Sequence, residues 1–596
     1  MFVMHRKDQK GRKNSEYRCV YHSHCGCVDN LLFCFKYGFR TRGDLERERE
    51  SEMATATCVL SCVTCSTKNR PITFRVRNLK TALSTAVKVL IYLFSSIYTL
   101  SIDKQPLIRD MELSTLKTEV SRSIKMAPLA ILNTLVDSIF QFVDQPMLPS
   151  QKNFSPVDEI GEPVKVYCSH GEIPEDFPEG VYIRNGANPL FGGDPAAALA
   201  STTFNLLRFG IVNKIMSNTN VFEHGGKYYS IAENYVPQEI DLSSLETYGN
   251  WNLNGAWSRP FTSHPKKVPG TGELITIGFE PSKPYCVMGV ISVDGKDLIH
   301  KLDLQLDHCS LFHEVGVTKK YNILIDSMLT ISPERVTKGG QLFKYEREKQ
   351  ARIAVIPRYG DADSIMWFHI EPCCSYHLLN SFEDENEIVV RGCKANAAII
   401  PGPGWGEDKF DWFSRGFSFK PDNSDNENGL LFTSVREWRL NMETQEVKEK
   451  DLTGTEYLMD FPMINADFTG LEHKYGYTQV IDSHASSKSA KTKYGGLAKL
   501  YFEEQLKENS NHGEWNIKME HHWLPENNFC TGSAFVAKPE AIDEDDGWIV
   551  TFAHDEDNDI SYVLVLDAKK FEGEPIAKIN LPQRVPYGHH GSFFSL

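Results

Sequence analysis

Gly547-Trp-Ile-Val-Thr-Phe-Ala-His554 and Ser561-Tyr-Val-Leu-Val-Leu-Asp-Ala568 are short runs of β-branched, aromatic and aliphatic residues set apart by polar turn residues. The same texture occupies Tyr228–Tyr235, Glu273–Phe279, Cys286–Val293, Tyr321–Asp326 and Glu387–Cys393. Side chains of this kind fit a pleated, half-buried surface better than a helix. Their near-regular recurrence from about residue 160 onward, with few long helical periodicities between them, predicts a large all-β fold. A β-propeller answers that pattern best, because radial repetition hides the sheet edges that so many strands would otherwise expose.

The chain has 596 residues, of which 41% are hydrophobic and 24% charged. Those proportions fit a globular chain with a large core and exclude collagenous, disordered and integral-membrane classes. A net charge of -15 offers no broad basic surface to a phosphate backbone, so nucleic acid is not an expected partner. Seven of the 14 Cys fall in the first 65 residues (Cys19, Cys25, Cys27, Cys34, Cys58, Cys62 and Cys65). The rest of the chain carries no disulfide framework, which suits a reducing compartment. The N-terminal cluster around His22, His24, Cys25 and Cys27 lacks the paired spacing of a zinc site and reads as a cysteine-rich leader.

Residues 1–110 read as a transit-like, disordered leader. Met53–Ile102 contains no Asp or Glu but has Lys68, Arg70, Arg75, Arg77, Lys80 and Lys88 among many Ser and Thr. This is the composition of an organelle-targeting segment, here plastid-like. Residues 111–150 read as an amphipathic helical segment. Leu129, Leu132, Val136, Ile139, Phe140 and Val143 recur at three- and four-residue steps, either to pack on the core or to dip into a bilayer surface. A related apolar stretch spans Ala196–Met216. The run Val87–Leu100 is shorter than a membrane span. Residues 151–596 form the β domain.

No phosphate loop or nucleophile elbow marks the β domain, which leaves histidine as the chemical signal. His264 precedes Pro265, whose ring restricts the backbone before it. His313 and His377 lie on segments apolar enough to be buried, and His590 lies near the C-terminus. Each alone reads as a hydrogen-bonded core residue or as a ligand. They are too far apart for one helix or hairpin, so they can meet only where strands converge on a common axis.

The segments PFTSHPKKVPGTGELITIG, LFHEVGVTKKYNILID, IPRYGDADSIMWF, SYHLLNSFEDENEIVVRGC, MDFPMINADFTGLEHKYGYTQV and LPQRVPYGHHG resemble, in order, the signature blocks of the carotenoid cleavage dioxygenases. The likeness covers roughly residues 150–596 and is nearest to the plant group acting at the 9,10 (9′,10′) positions. It implies a seven-bladed β-propeller with Fe(II) on its axis, held by His264, His313, His377 and His590. It also implies O2-dependent cleavage of a carotenoid or apocarotenoid double bond into two carbonyl products; the bilayer-surface reading of the amphipathic run, and with it peripheral membrane contact, would suit an enzyme whose substrate lives in lipid. Four neutral imidazoles suit ferrous iron and leave positions open for oxygen. Glu233 and Asp460 carry over as the carboxylates that fix ligand tautomers, with Asp460 where many relatives have the longer Glu. A third acid, expected near Gly532-Ser533, is absent. His589 stands where the family has Phe.

The block Asn188-Pro-Leu-Phe-Gly-Gly193 runs directly into Asp194-Pro195-Ala196, as though several tens of residues of the family pattern were missing. The propeller is therefore expected to be incomplete after Gly193. Two rival readings follow: a non-catalytic carotenoid-binding or defective splice form, and a propeller scaffold whose four His are core residues. The leader points to the plastid, with the cytoplasm as the alternative.

Overall fold

The computed structural model describes residues 2–7, 16–21, 149–187 except 159 and 162, 216–398 except 339, 400, 409–417, 429–507 and 515–596. The amphipathic run Met126–Val143, the stretch Ala196–Met216 apart from its last residue, the junction after Gly193 and most of the leader lie outside these residues. Among the described residues the chain is mostly β with few helices, as expected, and each strand-like run quoted above overlaps a strand.

Four sheets are four-stranded antiparallel meanders. In one, Lys266–Lys267, Leu274–Phe279, Cys286–Ile291 and Leu298–Asp303 follow one another, with Ile275 opposite Val290 and Ile277 opposite Met288. Every residue of Cys286–Ile291 is buried, which is why it reads as an unbroken apolar run, whereas Leu298–Asp303 is polar and largely exposed. Val447–Asp451, the last strand of the meander that begins at Leu378–Asp384, is likewise charged and half-exposed. Charged outer strands blunt an edge that could otherwise pair with another chain.

The remaining large sheets are nine- and five-stranded. The nine-stranded sheet contains two meanders joined only at Tyr494–Cys530, and Cys168–Gly171 adds to the outer side of the second. In the five-stranded sheet Gly180–Arg184 pairs with the C-terminal strand Gly591–Ser595. Its other neighbour is Phe2–Lys7, which pairs with Glu16–Tyr21 and through it with Val164–Val166. Within residues 1–110, expected to be a disordered leader, Phe2–Lys7 and Glu16–Tyr21 thus form a hairpin that adds to the edge of Gly180–Arg184.

One strand of each sheet or meander lies beside that of the next. Lys266–Lys267 contacts Gly316–Val317, which contacts Leu378–Asp384, which contacts Met459–Met463; Gly591–Ser595 contacts both Asn528–Ala537 and Asn220–His224. Apolar clusters fill the spaces between sheets. One joins Ile275, Ile277, Met288 and Val290 to Phe312, Val315, Leu324 and Ala354, all buried. Burial at ~25 cal/mol per Å2 makes these interfaces the main source of stability. No helix among the described residues is long and apolar enough to cross a membrane.

Candidate metal centre

Each of the four singled-out histidines stands just before an edge strand of a sheet, and the crowding of those strands brings the rings together. His264 lies two residues before Lys266–Lys267, His313 three before Gly316–Val317, His377 one before Leu378–Asp384 and His590 one before Gly591–Ser595. One ring nitrogen from each falls within a cluster spanning 4.8 Å. His313 Nε2 is 3.1 Å from His264 Nε2 and 3.2 Å from His377 Nε2. Ring centroids of His264 and His590 are 4.3 Å apart, and those of His377 and His590 are 5.0 Å apart.

Backbone bonds hold these rings in place. Thr262 Oγ1 donates to His313 O at 2.7 Å and accepts from His264 N at 3.1 Å, coupling two of the histidines. Trp257 Nε1 donates to Pro260 O at 3.3 Å, steadying the approach to His264. His377 O accepts from Cys393 N at 2.9 Å. His590 O accepts from Asn185 N at 3.1 Å, and Asn185 O accepts from His589 N at 2.9 Å.

Both expected carboxylates reach the cluster from behind. Glu233 Oε1 pairs with His313 Nδ1, and Asp460 Oδ1 lies 2.7 Å from His377 Nδ1, so the shorter side chain at 460 still makes its bond. Asp460 Oδ1 also accepts from Phe461 N at 2.8 Å. Burial would raise both carboxyls, but the paired imidazoles outweigh it and hold each below its ordinary range, Glu233 down to about 2. Burial opposes a charge on His313 too, yet Glu233 raises it above the usual imidazole value. His264 and His590 are driven well below that value by burial and then by neighbouring rings.

With Nδ1 of His313 and His377 turned to carboxylates, both Nε2 atoms point inward and lie 3.2 Å apart. In the neutral rings these are the nitrogens that carry the lone pairs, and a bound cation would take both. The donor set, four imidazoles with no direct carboxylate, fits a borderline metal such as Fe(II).

Among the described residues no carboxylate bonds His264 or His590. Where the third acid was expected, Thr531 Oγ1 donates to Gly588 O at 3.0 Å and accepts from Gly588 N at 3.1 Å, holding the backbone that leads to His590. Ser533 Oγ pairs with Thr551 Oγ1 at 2.8 Å. His589 stays out of the cluster, and burial, with Arg184 nearby, pushes it down to about 4.

Two residues missed in the sequence border the cluster. Phe461 has a φ of 54°, a conformation few non-glycine residues adopt, and its ring centroid lies 4.9 Å from that of His377 and 4.6 Å from that of His590. Glu314 is buried beside His313, and an acid directly after a histidine in an apolar run was the available signal.

Residues 196–595 match the family model described as Retinal pigment epithelial membrane protein. Carotenoid 9,10(9′,10′)-cleavage dioxygenase 1 of Pisum sativum is 28% identical over 74% of this chain and 88% of its own length. A chloroplastic 9-cis-epoxycarotenoid dioxygenase of Oryza sativa subsp. japonica is 26% identical over 78% of this chain and 80% of its own. The crystal structure of Pseudomonas brassicacearum lignostilbene dioxygenase superposes with a TM-score of 0.58 at 20% identity, covering 72% of this chain and 94% of that one. The chain belongs to the retinal pigment epithelial membrane protein family of carotenoid oxygenases and is a carotenoid cleavage dioxygenase by class.

Proposed function

We propose that this chain is an Fe(II)-dependent dioxygenase that splits a conjugated double bond of a carotenoid or apocarotenoid with O2, at the 9,10 (9′,10′) position. The observation that carries the reading is the convergence of His264, His313, His377 and His590, with Glu233 and Asp460 behind two of the rings. In this reading the four single meanders, the two within the nine-stranded sheet and the five-stranded sheet are the seven blades of a propeller, and the histidines stand at its axis.

Ferrous iron, when bound, supplies the activation of O2. The protein's own part is to hold four imidazole nitrogens inward, to keep Nδ1–H of His313 and His377 directed at Glu233 and Asp460, and to exclude water. Phe461 and Tyr376, the latter with its ring centroid 5.9 Å from that of His313, give the centre apolar walls against which a polyene can lie. One C=C bond breaks and each of its carbons gains one oxygen atom from O2, so the products are two carbonyl compounds and no external reductant is consumed. The acid-free segment Met53–Ile102, together with the chloroplastic relative, favours a plastid location over the cytoplasm, and the apolar stripe of Met126–Val143 favours contact with a membrane surface.

The test is iron analysis of the purified chain, followed by incubation with a carotenoid under isotopically labelled O2. Label in both carbonyl products supports the reading, with the 9,10 bond identified from their masses. Bound iron and bound carotenoid without products would favour a non-catalytic binding form, and absence of iron from a folded chain would favour a scaffold.

A further inference from the structure

We propose that Glu314 is a positioning residue that ties three of the four histidine-bearing strands into one rigid unit; this rests on the metal-centre reading above. Its side chain is only 4% exposed, and its two oxygens bond a lysine and a backbone N–H, not an imidazole. One carboxylate oxygen lies 2.5 Å from Lys266 Nζ, two residues after His264. The other accepts from the backbone N–H of Leu378 at 2.8 Å, one residue after His377. Glu314 itself follows His313 directly, and its backbone forms a parallel bridge with that of His264.

One buried carboxylate thus anchors the backbones that carry His264, His313 and His377. A carboxylate accepts bonds on both oxygens at once, and the anionic form strengthens each. A neutral amide would keep one acceptor and lose the attraction to Lys266. Lys266 lines a cavity of about 200 Å3 with Gly316, Val317, Leu378, Asn380 and Pro462, residues that follow the histidines and Asp460 on adjoining strands. Glu233 and Asp460 each orient one ring, whereas Glu314 fixes the spacing between rings.

The experiment titrates Co(II) into the iron-free full-length chain, with chelator competition for affinity and visible absorption for coordination geometry. Wild type, E314Q, E314D and K266M are compared, with H313A as the control for loss of a donor. E314Q should weaken Co(II) affinity by about 10- to 100-fold, the scale usual for partners behind metal ligands, and alter the absorption bands. E314D should recover part of that loss. K266M, which leaves the Leu378 bond in place, should fall between wild type and E314Q, and it decides the matter if E314Q does not fold. Affinity and spectrum unchanged in both E314Q and K266M would overturn this inference alone, with H313A still impaired. A folded wild-type chain that takes up no Co(II) would overturn both the metal reading and this inference.

Discussion

Asp460 Oδ1 and His377 Nδ1 are 2.7 Å apart, and the same oxygen takes the N–H of Phe461 at 2.8 Å. The carboxylate therefore sets the tautomer of His377 while fixing the turn that places the Phe461 ring against His377 and His590.

D460N keeps the shape of the side chain but removes its charge, and its amide can present an N–H where an acceptor is required. Metal affinity should drop by about 10- to 100-fold, read by chelator competition, with little change in thermal stability of the metal-free chain. D460E should also bind less tightly, because the bond is already made at normal length and an added methylene must displace the ring or the carboxylate. Affinity equal to wild type in D460N would mean that His377 is oriented by packing alone.

Gly278 controls the approach to His264. A Cβ there would lie 2.3 Å from Pro260 O and 2.9 Å from the Trp257 ring. The nearest obstacle is backbone, so the Pro260–His264 segment would have to move. G278A should cost about 1–3 kcal/mol in chemical unfolding and also weaken metal uptake, whereas ordinary overpacking remote from the centre would affect only the first.

Away from the centre, His308 gives the fold a pH-dependent contribution. Its Nε2 lies 3.1 Å from Asp326 Oδ2 and its Nδ1 2.6 Å from Asp307 Oδ1, while Asp326 is also held by Ser310 and Arg352. The hydrogen bond to Asp326 raises His308 above 6.5, and Asp326 lies below 3.8 because the paired His308 outweighs its burial. A raised imidazole stabilises fully below its unfolded value and loses that contribution as pH rises through the folded one; the depressed carboxyl loses its own as pH falls through its folded value. The stability gap between wild type and H308Q should therefore be widest between pH 3.8 and 6.5, about 1 kcal/mol after solvent screening at the half-open ring, and should shrink under alkaline conditions. A gap that widens above neutrality would contradict the ion pair.

The four histidines and their two carboxylates were legible because each lies in a local block whose residues resemble a known pattern. The strands were legible because runs such as Cys286–Ile291 are apolar throughout. Glu314 was not, since its role arises from three strands that meet only in the folded chain, and in sequence it is one acid beside one histidine. Phe461 was hidden for another reason: a positive φ at a residue other than glycine is imposed by its surroundings, here the bond from its N–H to Asp460, and leaves no mark on composition. The strands Phe2–Lys7 and Glu16–Tyr21 were not legible, because two six-residue runs leave little mark on the composition of so long a segment.

Among the described residues no carboxylate bonds His590, which is held by backbone contacts with Asn185 as their hub. Its backbone N–H and C=O bond His590 and His589, its side-chain Nδ2 donates to Ser217 O at 2.7 Å and Asn220 O at 3.1 Å, and its Oδ1 accepts from Gly186 N at 3.1 Å. Asn185 is 2% exposed, so the carbonyls it serves have little water to replace it. N185A should cost about 1–3 kcal/mol in chemical unfolding and weaken metal binding through movement of His590. N185D should be worse on both measures, because a carboxylate would face two carbonyl oxygens where the amide now donates. Equal losses in the two variants would show that the amide donor is not what holds the loop, and metal affinity unchanged in both would free His590 from any dependence on Asn185.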